Sequence, residues 1–408
     1  MILFPAVYIG YEELFYSLKS MDLADMLIIA EQEFIESYPL EGNFIADEFD
    51  NSKMLIEKIS SWQKKHKARF SRIIAIDDED QFELSRQLAA HYNIPFYSNK
   101  TLERACNKYL MRTCFAQKKV PQPAFQLYKG DAATMHFPNM LKPLTGTGSE
   151  FILVNKNPQQ LQENFEFLLT RLASIKDTRF KKLRQHAQDF DACKEFILEE
   201  FIKGDEFSFD FCLNDGKFAI LRIVRKLPSR YIGWYDGYVL MNDASLKTQN
   251  ISLEELKAIS AKVAGALEIF SGVCMVDCIV RDGKLYVIET SIRPGLSTFI
   301  PLMYYIYNYT SLGVLAGNKM PLLPQQEGVV VHLWAHKQGK IKNIDVSMLD
   351  RAKSEMISYT LFAEKGALVH DDLTDHDGMF LGYVLLKGSQ DAELQVKKIQ
   401  ESVKIEIE

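Results

Sequence analysis

Two carboxylates, a hydroxyl and a guanidinium stand close together in residues 272–295, which read GVCMVDCIVRDGKLYVIETSIRPG. The stretch is two apolar runs joined by Arg281-Asp282-Gly283-Lys284. Asp-Gly between β-branched or aromatic runs is a strong signal for a hairpin. Side chains alternate faces along a strand, so Glu289, Ser291 and Arg293 point the same way if the chain stays extended. Asp277 stands at the matching depth in the partner strand. Two carboxylates on neighbouring strands, flanked by a hydroxyl and a guanidinium, can hold a hard cation beside a bound anion. They would serve equally well as edge-strand charges facing water, and the hairpin alone does not separate the two readings.

Other residues upstream could handle an anion. Lys142 precedes Pro143 at the end of an apolar run, and Thr145-Gly146-Thr147-Gly148-Ser149 follows directly. A small, glycine-bearing loop can turn several backbone N–H groups towards phosphate oxygens. It lacks the spacing of a Walker A loop, and most such loops bind nothing, so the nearby lysine is what gives it weight. Lys108 lies among apolar neighbours on a helical pattern running from Thr101 to a stop at Pro121-Gln122-Pro123. Glu199-Glu200-Phe201-Ile202 ends an apolar strand ahead of Lys203-Gly204-Asp205-Glu206, where backbone groups and two apolar side chains could meet a flat heterocycle; a plain strand and turn fits as well. A second hairpin, with its turn at Asn214-Asp215-Gly216, leads to the cations Arg222, Arg225, Lys226 and Arg230.

The elements that must position these residues follow from the rest of the chain. At 408 residues it exceeds a single core, so two or three domains are expected. Apolar content of 47% with 25% charged residues is that of a soluble globular protein. A net charge of −6 offers no electrostatic footprint for nucleic acid, and no apolar run is long enough to cross a membrane. The start, MILFPAVYIGYEEL, lacks a basic n-region and reads as a first strand rather than a signal peptide. Six scattered cysteines, without metal-knuckle spacing, read as reduced thiols of a cytoplasmic protein.

Residues 1–99 alternate apolar runs (Ile2–Ile9, Met26–Ala30, Arg72–Ile76) with helical patterns, as a parallel α/β layer does. Asp77-Asp78-Glu79-Asp80 closes the last strand, a place where sheets of this class bind ligands, yet no G-x-G-x-x-G supports a dinucleotide. The basic clusters at Lys64–Arg69 and Lys176–Arg184 read as solvated faces. Ser252 caps a helix with Glu255 at the capping-box position, and Leu296–Leu315 reads as a buried helix. Beyond the Pro321–Pro324 boundary, strands at Val329–Ala335 and Met379–Lys387 and a helix near Asp391–Val403 make an α+β tail. The aromatic segment Tyr231–Tyr238 could line a pocket, an exposed loop or a dimer contact.

The succession N-K-Y-L-M-R, L-K-P-L-T-G-T-G-S, L-E-E-F-I-K-G-D-E-F, M-V-D-C-I-V and V-I-E-T-S-I-R-P-G, over roughly 190 residues, resembles the ATP-grasp superfamily. It is most similar to the carboxylate–amine ligase branch shared with L-amino acid ligases and with the biotin carboxylase and carbamoyl-phosphate synthase folds. The resemblance implies a mixed α/β and α+β multidomain chain. Its parts would be an N-terminal parallel α/β domain at 1–99, a two-lobed ATP-grasp module at 100–320 with a flap-bearing lobe at about 131–203, and a small α+β domain at 321–408.

It also implies roles for residues. Lys108 and Lys142 would meet the ATP phosphates, and Thr145, Gly146, Thr147, Gly148 and Ser149 would form the flap over them. Glu199, Glu200, Phe201 and Ile202 would read adenine, and Glu206 the ribose. Asp277 and Glu289 would hold magnesium, as one or two ions with manganese as a substitute, and Arg293 would steady the transferred phosphoryl group. One of Arg222, Arg225 and Lys226 would add a phosphate contact, with Arg225 preferred. Family members read Glu-x-Asn-x-Arg in the last strand. Ser291 replaces that Asn here and puts the second metal in question.

The implied activity joins a small-molecule carboxylate and an amine through an acyl phosphate, releasing ADP and phosphate. A bicarbonate-phosphorylating enzyme and a non-catalytic ATP-binding regulator are the alternatives. Neither nucleic acid nor membrane is expected as a partner, and a homodimer is left open.

Overall fold

The computed structural model describes the chain apart from residues 7–8, 77–79, 132–133, 147, 175–189, 192, 231–232, 318–320, 350–355 and 371–375. The acidic turn at Asp77–Glu79, the basic run Lys176–Arg184, Thr147, and Tyr231 and Ile232 of the aromatic segment therefore lie outside the described residues.

The N-terminal strands β1 (Ile2–Pro5), β2 (Met26–Ala30), β3 (Asn43–Ala46) and β4 (Arg72–Ile73) form a parallel sheet in the order β3-β2-β1-β4. Both faces are buried, which is why the strands read as unbroken apolar runs. Phe4 and Ile28 pack with Leu14 and Leu18 on one side, and Leu3, Leu27 and Ile29 with Leu55 and Ile59 on the other.

The expected single helix from Thr101 is two helices, Asn99–Cys106 and Lys108–Gln117. Asn107 between them has extended backbone (φ −104°, ψ 109°), and its side chain caps the second by accepting from Tyr109 and Leu110 N–H. The cap decides the break: an Asn oxygen competes with the helix for local N–H groups. Lys108 thereby becomes the first residue of a new helix.

A small antiparallel sheet follows, with β5 (Phe125–Tyr128), β6 (Asn139–Pro143), β7 (Leu153–Asn155) and β8 (Phe196–Glu200) in the order β5-β8-β6-β7. The helix Pro158–Ser174 covers one face of it through Leu161, Phe165, Leu168 and Leu172.

The largest element is an antiparallel sheet of eight strands. It contains β9 (Asp205–Asn214), β10 (Lys217–Pro228), β11 (Tyr235–Leu240), β12 (Gly272–Arg281), β13 (Lys284–Ser291), β14 (Gly328–Trp334), β16 (Met356–Leu361) and β18 (Phe380–Lys387). Their order is β13-β12-β9-β10-β11-β14-β18-β16. Strands beyond residue 321 thus extend this sheet rather than forming only one of their own; β15 (Gly339–Asp345), β17 (Leu368–Val369) and β19 (Lys404–Ile407) make a separate three-stranded sheet.

Alternation divides the large sheet. Phe207, Phe209, Cys274, Val276 and Val287 face the core against Leu256, Ile259 and Val263 of the helix Leu253–Leu267, which Ser252 caps. Their neighbours Glu206, Ser208, Asp210 and Asp277 are left for the other face. The apolar segment after the hairpin is likewise two helices, Phe299–Tyr307 and Ser311–Leu315, separated at Asn308 in the left-handed conformation.

Candidate active site

The β12–β13 hairpin has the expected turn, and its register sets Asp277 opposite Glu289 and Met275 opposite Ser291. A bulge between Asp277 and Cys278 shifts the pairing by a residue just below the carboxylates. Bulges re-aim side chains, and this one lets Asp277 and Glu289 share the open face while Cys278 and Val287 stay in the core.

Each carboxylate is held by a lysine from elsewhere. Glu289 Oε1 lies 2.8 Å from Lys108 Nζ, and Asp277 Oδ1 lies 3.1 Å from Lys226 Nζ. Lys108 also donates to Gly146 O at 2.6 Å, so it joins hairpin and flap. Lys226 donates to Glu206 Oε1 at 2.8 Å, and Tyr235 OH donates to the same oxygen at 2.5 Å. Burial would lower Lys226, but Asp277 and Glu206 outweigh it and hold the ammonium well above its ordinary range. Asp277 moves the other way. Burial pushes its carboxyl up against the pull of Lys226, and among the described residues its Oδ1 accepts no hydrogen bond despite the nearby ammonium. At Glu289 the opposing effects of burial and Lys108 resolve downward.

Behind this face lies a buried ionic cluster. Glu199 takes Arg112 Nε and Lys142 Nζ, each at 2.6 Å. Burial would raise its carboxyl, but the two cations and their hydrogen bonds hold it down at about 2. Arg112 also donates to Val287 O at 2.7 Å and Ile288 O at 2.5 Å. One guanidinium thus ties β8 of the small sheet to the strand that carries Glu289.

A second buried pair fixes the end of the hairpin. Arg222 and Asp210 are both fully buried and 2.7 Å apart, and Arg222 stacks on Phe299 at 3.8 Å. Gly295 N–H donates to both Asp210 oxygens, and a Cβ at Gly295 would lie 2.2 Å from Arg222 Nη2. Only glycine fits there, two residues beyond Arg293.

A cavity of about 620 Å³ opens over this face. Lys108, Gly146, Gly148, Ser149, Lys226, Asp277, Glu289, Ser291 and Arg293 line it. The expected residues Lys142, Thr145, Glu199 to Ile202 and Glu206 do not. Lys142, Thr145, Glu199 and Ile202 are buried, and Glu200 turns to Arg281 at 3.0 Å.

Arg225 is a correction. Alternation along β10 puts Arg222, Val224 and Lys226 on the cavity side of the sheet and Arg225 on the opposite side, where it pairs with Glu393 at 2.6 Å. Of the three cations, Lys226 alone lines the cavity. Reasoning from sequence missed Arg112 and Asp210. Arg112 lies one helical turn after Lys108, and that spacing was the available signal.

Residues 135–295 match the family model described as "ATP-grasp domain". The chain carries an ATP-grasp domain. It is 25% identical over 114 residues to a D-alanine–D-alanine ligase of Petrotoga mobilis, across 27% of this chain. The chain spans 38% of that relative's length. Solved structures similar over the whole chain include an L-amino acid ligase from Bacillus licheniformis, with TM-score 0.72 and 16% identity, covering 100% of this chain and 98% of that one. Another is the biotin carboxylase domain of a 2-oxoglutarate carboxylase from Hydrogenobacter thermophilus, with TM-score 0.63 and 13% identity, covering 100% and 90%. At these identities the likeness is one of fold. The ATP-grasp match spans the flap, the Glu199 segment and the whole β12–β13 hairpin.

Among the described residues no helix is long and apolar enough to cross a membrane. Among them, too, no group of three or more His, Cys, Asp and Glu could by itself hold a metal. Asp277 and Glu289 nevertheless fit magnesium. That ion is usually bound by one or two carboxylates together with substrate phosphates, and Asp277 Oδ1 is a buried oxygen that accepts no hydrogen bond among the described residues.

Proposed function

We propose that this chain is an ATP-dependent carboxylate–amine ligase. The observation that carries the reading is the lysine-held carboxylate pair, Asp277 and Glu289, on one wall of a cavity whose other wall is the glycine flap. A carboxylate and ATP repel each other, so their reaction needs cations set in place beforehand. Lys108, Lys226 and Arg293 supply three such charges on this cavity.

In the proposed sequence a carboxylate oxygen of the acid attacks the γ-phosphorus, and the bond to the β–γ bridging oxygen breaks, releasing ADP. The amine nitrogen then attacks the acyl phosphate carbonyl. The carbon–oxygen bond to phosphate breaks, phosphate leaves, and the nitrogen loses a proton to solvent. Lys108 and Lys226 turn from their carboxylates to phosphate oxygens, and Arg293 steadies the phosphoryl group. Magnesium, when held by Asp277 and Glu289, supplies positive charge to the phosphate oxygens; Ser291 is the adjoining hydroxyl.

Glu199 to Ile202 run from the small sheet towards β9 of the large one, and we assign adenine to that passage. Glu206 is the acid for the ribose. A domain division at about residue 100 goes with this reading, while the one at about 320 falls ahead of β14, which continues the large sheet. A volume of about 620 Å³ with several aromatic walls favours an organic acid over bicarbonate.

The test is ADP release over a panel of acid–amine pairs with mass spectrometry of the products. A pair that yields ADP, phosphate and an amide in equal amounts supports the assignment. Lys108→Ala and Glu289→Ala should each abolish release, and near-wild-type release in both sinks the assignment.

A further inference from the structure

The cavity face of the large sheet changes character from strand to strand. Glu289 on β13, Asp277 on β12, Glu206 on β9 and Lys226 on β10 are charged. The next strands present Tyr238 on β11, His332 and Trp334 on β14, and Phe380 on β18. Lys226 and Tyr238 are register partners, as are Trp334 and Phe380, so the row is continuous across the boundary. Phe299 closes it from the helix above, 4.5 Å from Tyr238 between ring centres. His332 lies 4.7 Å from Tyr238 and 5.3 Å from Phe380, and Trp334 lies 5.1 Å from Phe380.

The ring nitrogens of His332 and Trp334 face inward to the protein. His332 Nδ1 lies 2.8 Å from Tyr235 O and must donate to that carbonyl, so its Nε2 accepts from Thr298 Oγ1 at 3.0 Å. Trp334 Nε1 donates to the same carbonyl at 2.9 Å. Burial lowers His332 to about 4, so at neutral pH it carries no charge. On these two residues ring faces and edges are what remain for a ligand. A charged substituent seated among these rings would lose its hydration against neutral side chains.

We propose that the acid taken by this site bears an uncharged aromatic or bulky apolar group seated against Tyr238, Phe299, His332, Trp334 and Phe380. The inference rests on the ligase reading and names its substrate class. Neighbouring strands lie about 4.8 Å apart, so β14 is about 10 Å across the sheet from Lys226 on β10. An acid with its carboxylate at the lysine end and a ring or branched alkyl group a few bonds away spans that distance. The volume of about 620 Å³ lies within the range of small-molecule sites.

The chain has three tryptophans, and Trp62 lies on the helix Ser52–His66, outside the cavity. The full-length Trp62→Phe variant therefore leaves only Trp234 and Trp334, which stack at 4.7 Å, to report on the wall. With magnesium and ADP present, its fluorescence is titrated with L-phenylalanine and 3-phenylpropionate, L-alanine and propionate, and L-aspartate and succinate. At least one phenyl acid should saturate the signal at concentrations about tenfold or more below its small and acidic counterparts. In the same titration Phe380→Ala should remove that preference. Saturation by a phenyl acid with no ADP formed in any acid–amine pairing keeps the subsite and removes the ligase reading. Equal or tighter binding of the small or dicarboxylic acids, or no saturable change with any acid, overturns the subsite.

Discussion

Asp277 and Glu289 are directly opposed on adjacent strands, and each is neutralised by a lysine from another element, Lys226 and Lys108. The pairs hold together carboxylates that would otherwise repel. They also mean that a metal alone must compete with an ammonium for each. Magnesium is expected to bind weakly without nucleotide and at least tenfold more tightly with ADP present, as the lysines turn to phosphate. Calorimetry in both conditions checks this, and equal affinities would contradict it.

Lys226 and Arg225 are adjacent in sequence and opposite in space, so they give a matched pair of variants. Lys226→Met should lower ADP release by about 10²-fold or more, the scale of losing one preorganised charge at a transition state. Arg225→Ala removes an ion pair whose Glu393 side chain is 64% exposed, and should change stability by about 0–1 kcal/mol and leave release near wild type. Steady-state rates and thermal melts of both variants check the assignment.

The Arg112–Glu199–Lys142 cluster is expected to matter for stability as well as binding. Arg112→Met leaves Glu199 buried with one cation and frees Val287 O and Ile288 O, which should cost about 3–5 kcal/mol. Urea unfolding measures it. A loss within 1 kcal/mol would mean that β13 is not held by this guanidinium.

Two buried groups give separate acid windows. Below about 6.5 the unfolded chain protonates His332 while the folded chain resists down to about 4. Stability should therefore fall across that range by on the order of 3 kcal/mol. The contribution of Glu199 is fully present above about 4.5 and is lost as pH falls from there towards about 2. His332→Phe should flatten the upper window and leave the lower one, as read by unfolding at a series of pH values.

Flap and aromatic loop meet at one glycine. Gly233 has φ +81°, and a Cβ there would lie 2.5 Å from Ser149 Cβ. Gly233→Ala should hold the flap off the loop, raising KM for ATP about tenfold or more with a smaller change in overall stability. An unchanged KM would remove this contact from flap closure.

What the sequence made legible was local. The Asp-Gly turns at 215–216 and 282–283, the parallel strands β1 and β2 and the Ser252 cap each depend on a few adjacent residues, and each is where it was expected, whereas β3 (Asn43–Ala46) was not foreseen. The ordered motifs pointed to the fold and brought Lys108, Gly146, Gly148, Ser149, Asp277, Glu289 and Arg293 to one cavity. The choice among Arg222, Arg225 and Lys226 was not legible. Alternation says that Arg225 opposes the other two, but not which side is the cavity, and burial then removes Arg222. The aromatic wall was hidden for a different reason. Tyr238, His332 and Phe380 come from three strands spread over more than 140 residues of chain, and no local signal encodes their pairing.

The central claim is that phosphate passes through the acid's carboxylate. With an acid that supports ADP release, labelled with ¹⁸O in its carboxylate, one labelled oxygen should appear in the released phosphate for each amide formed. Unlabelled phosphate accompanying amide formation would contradict the account.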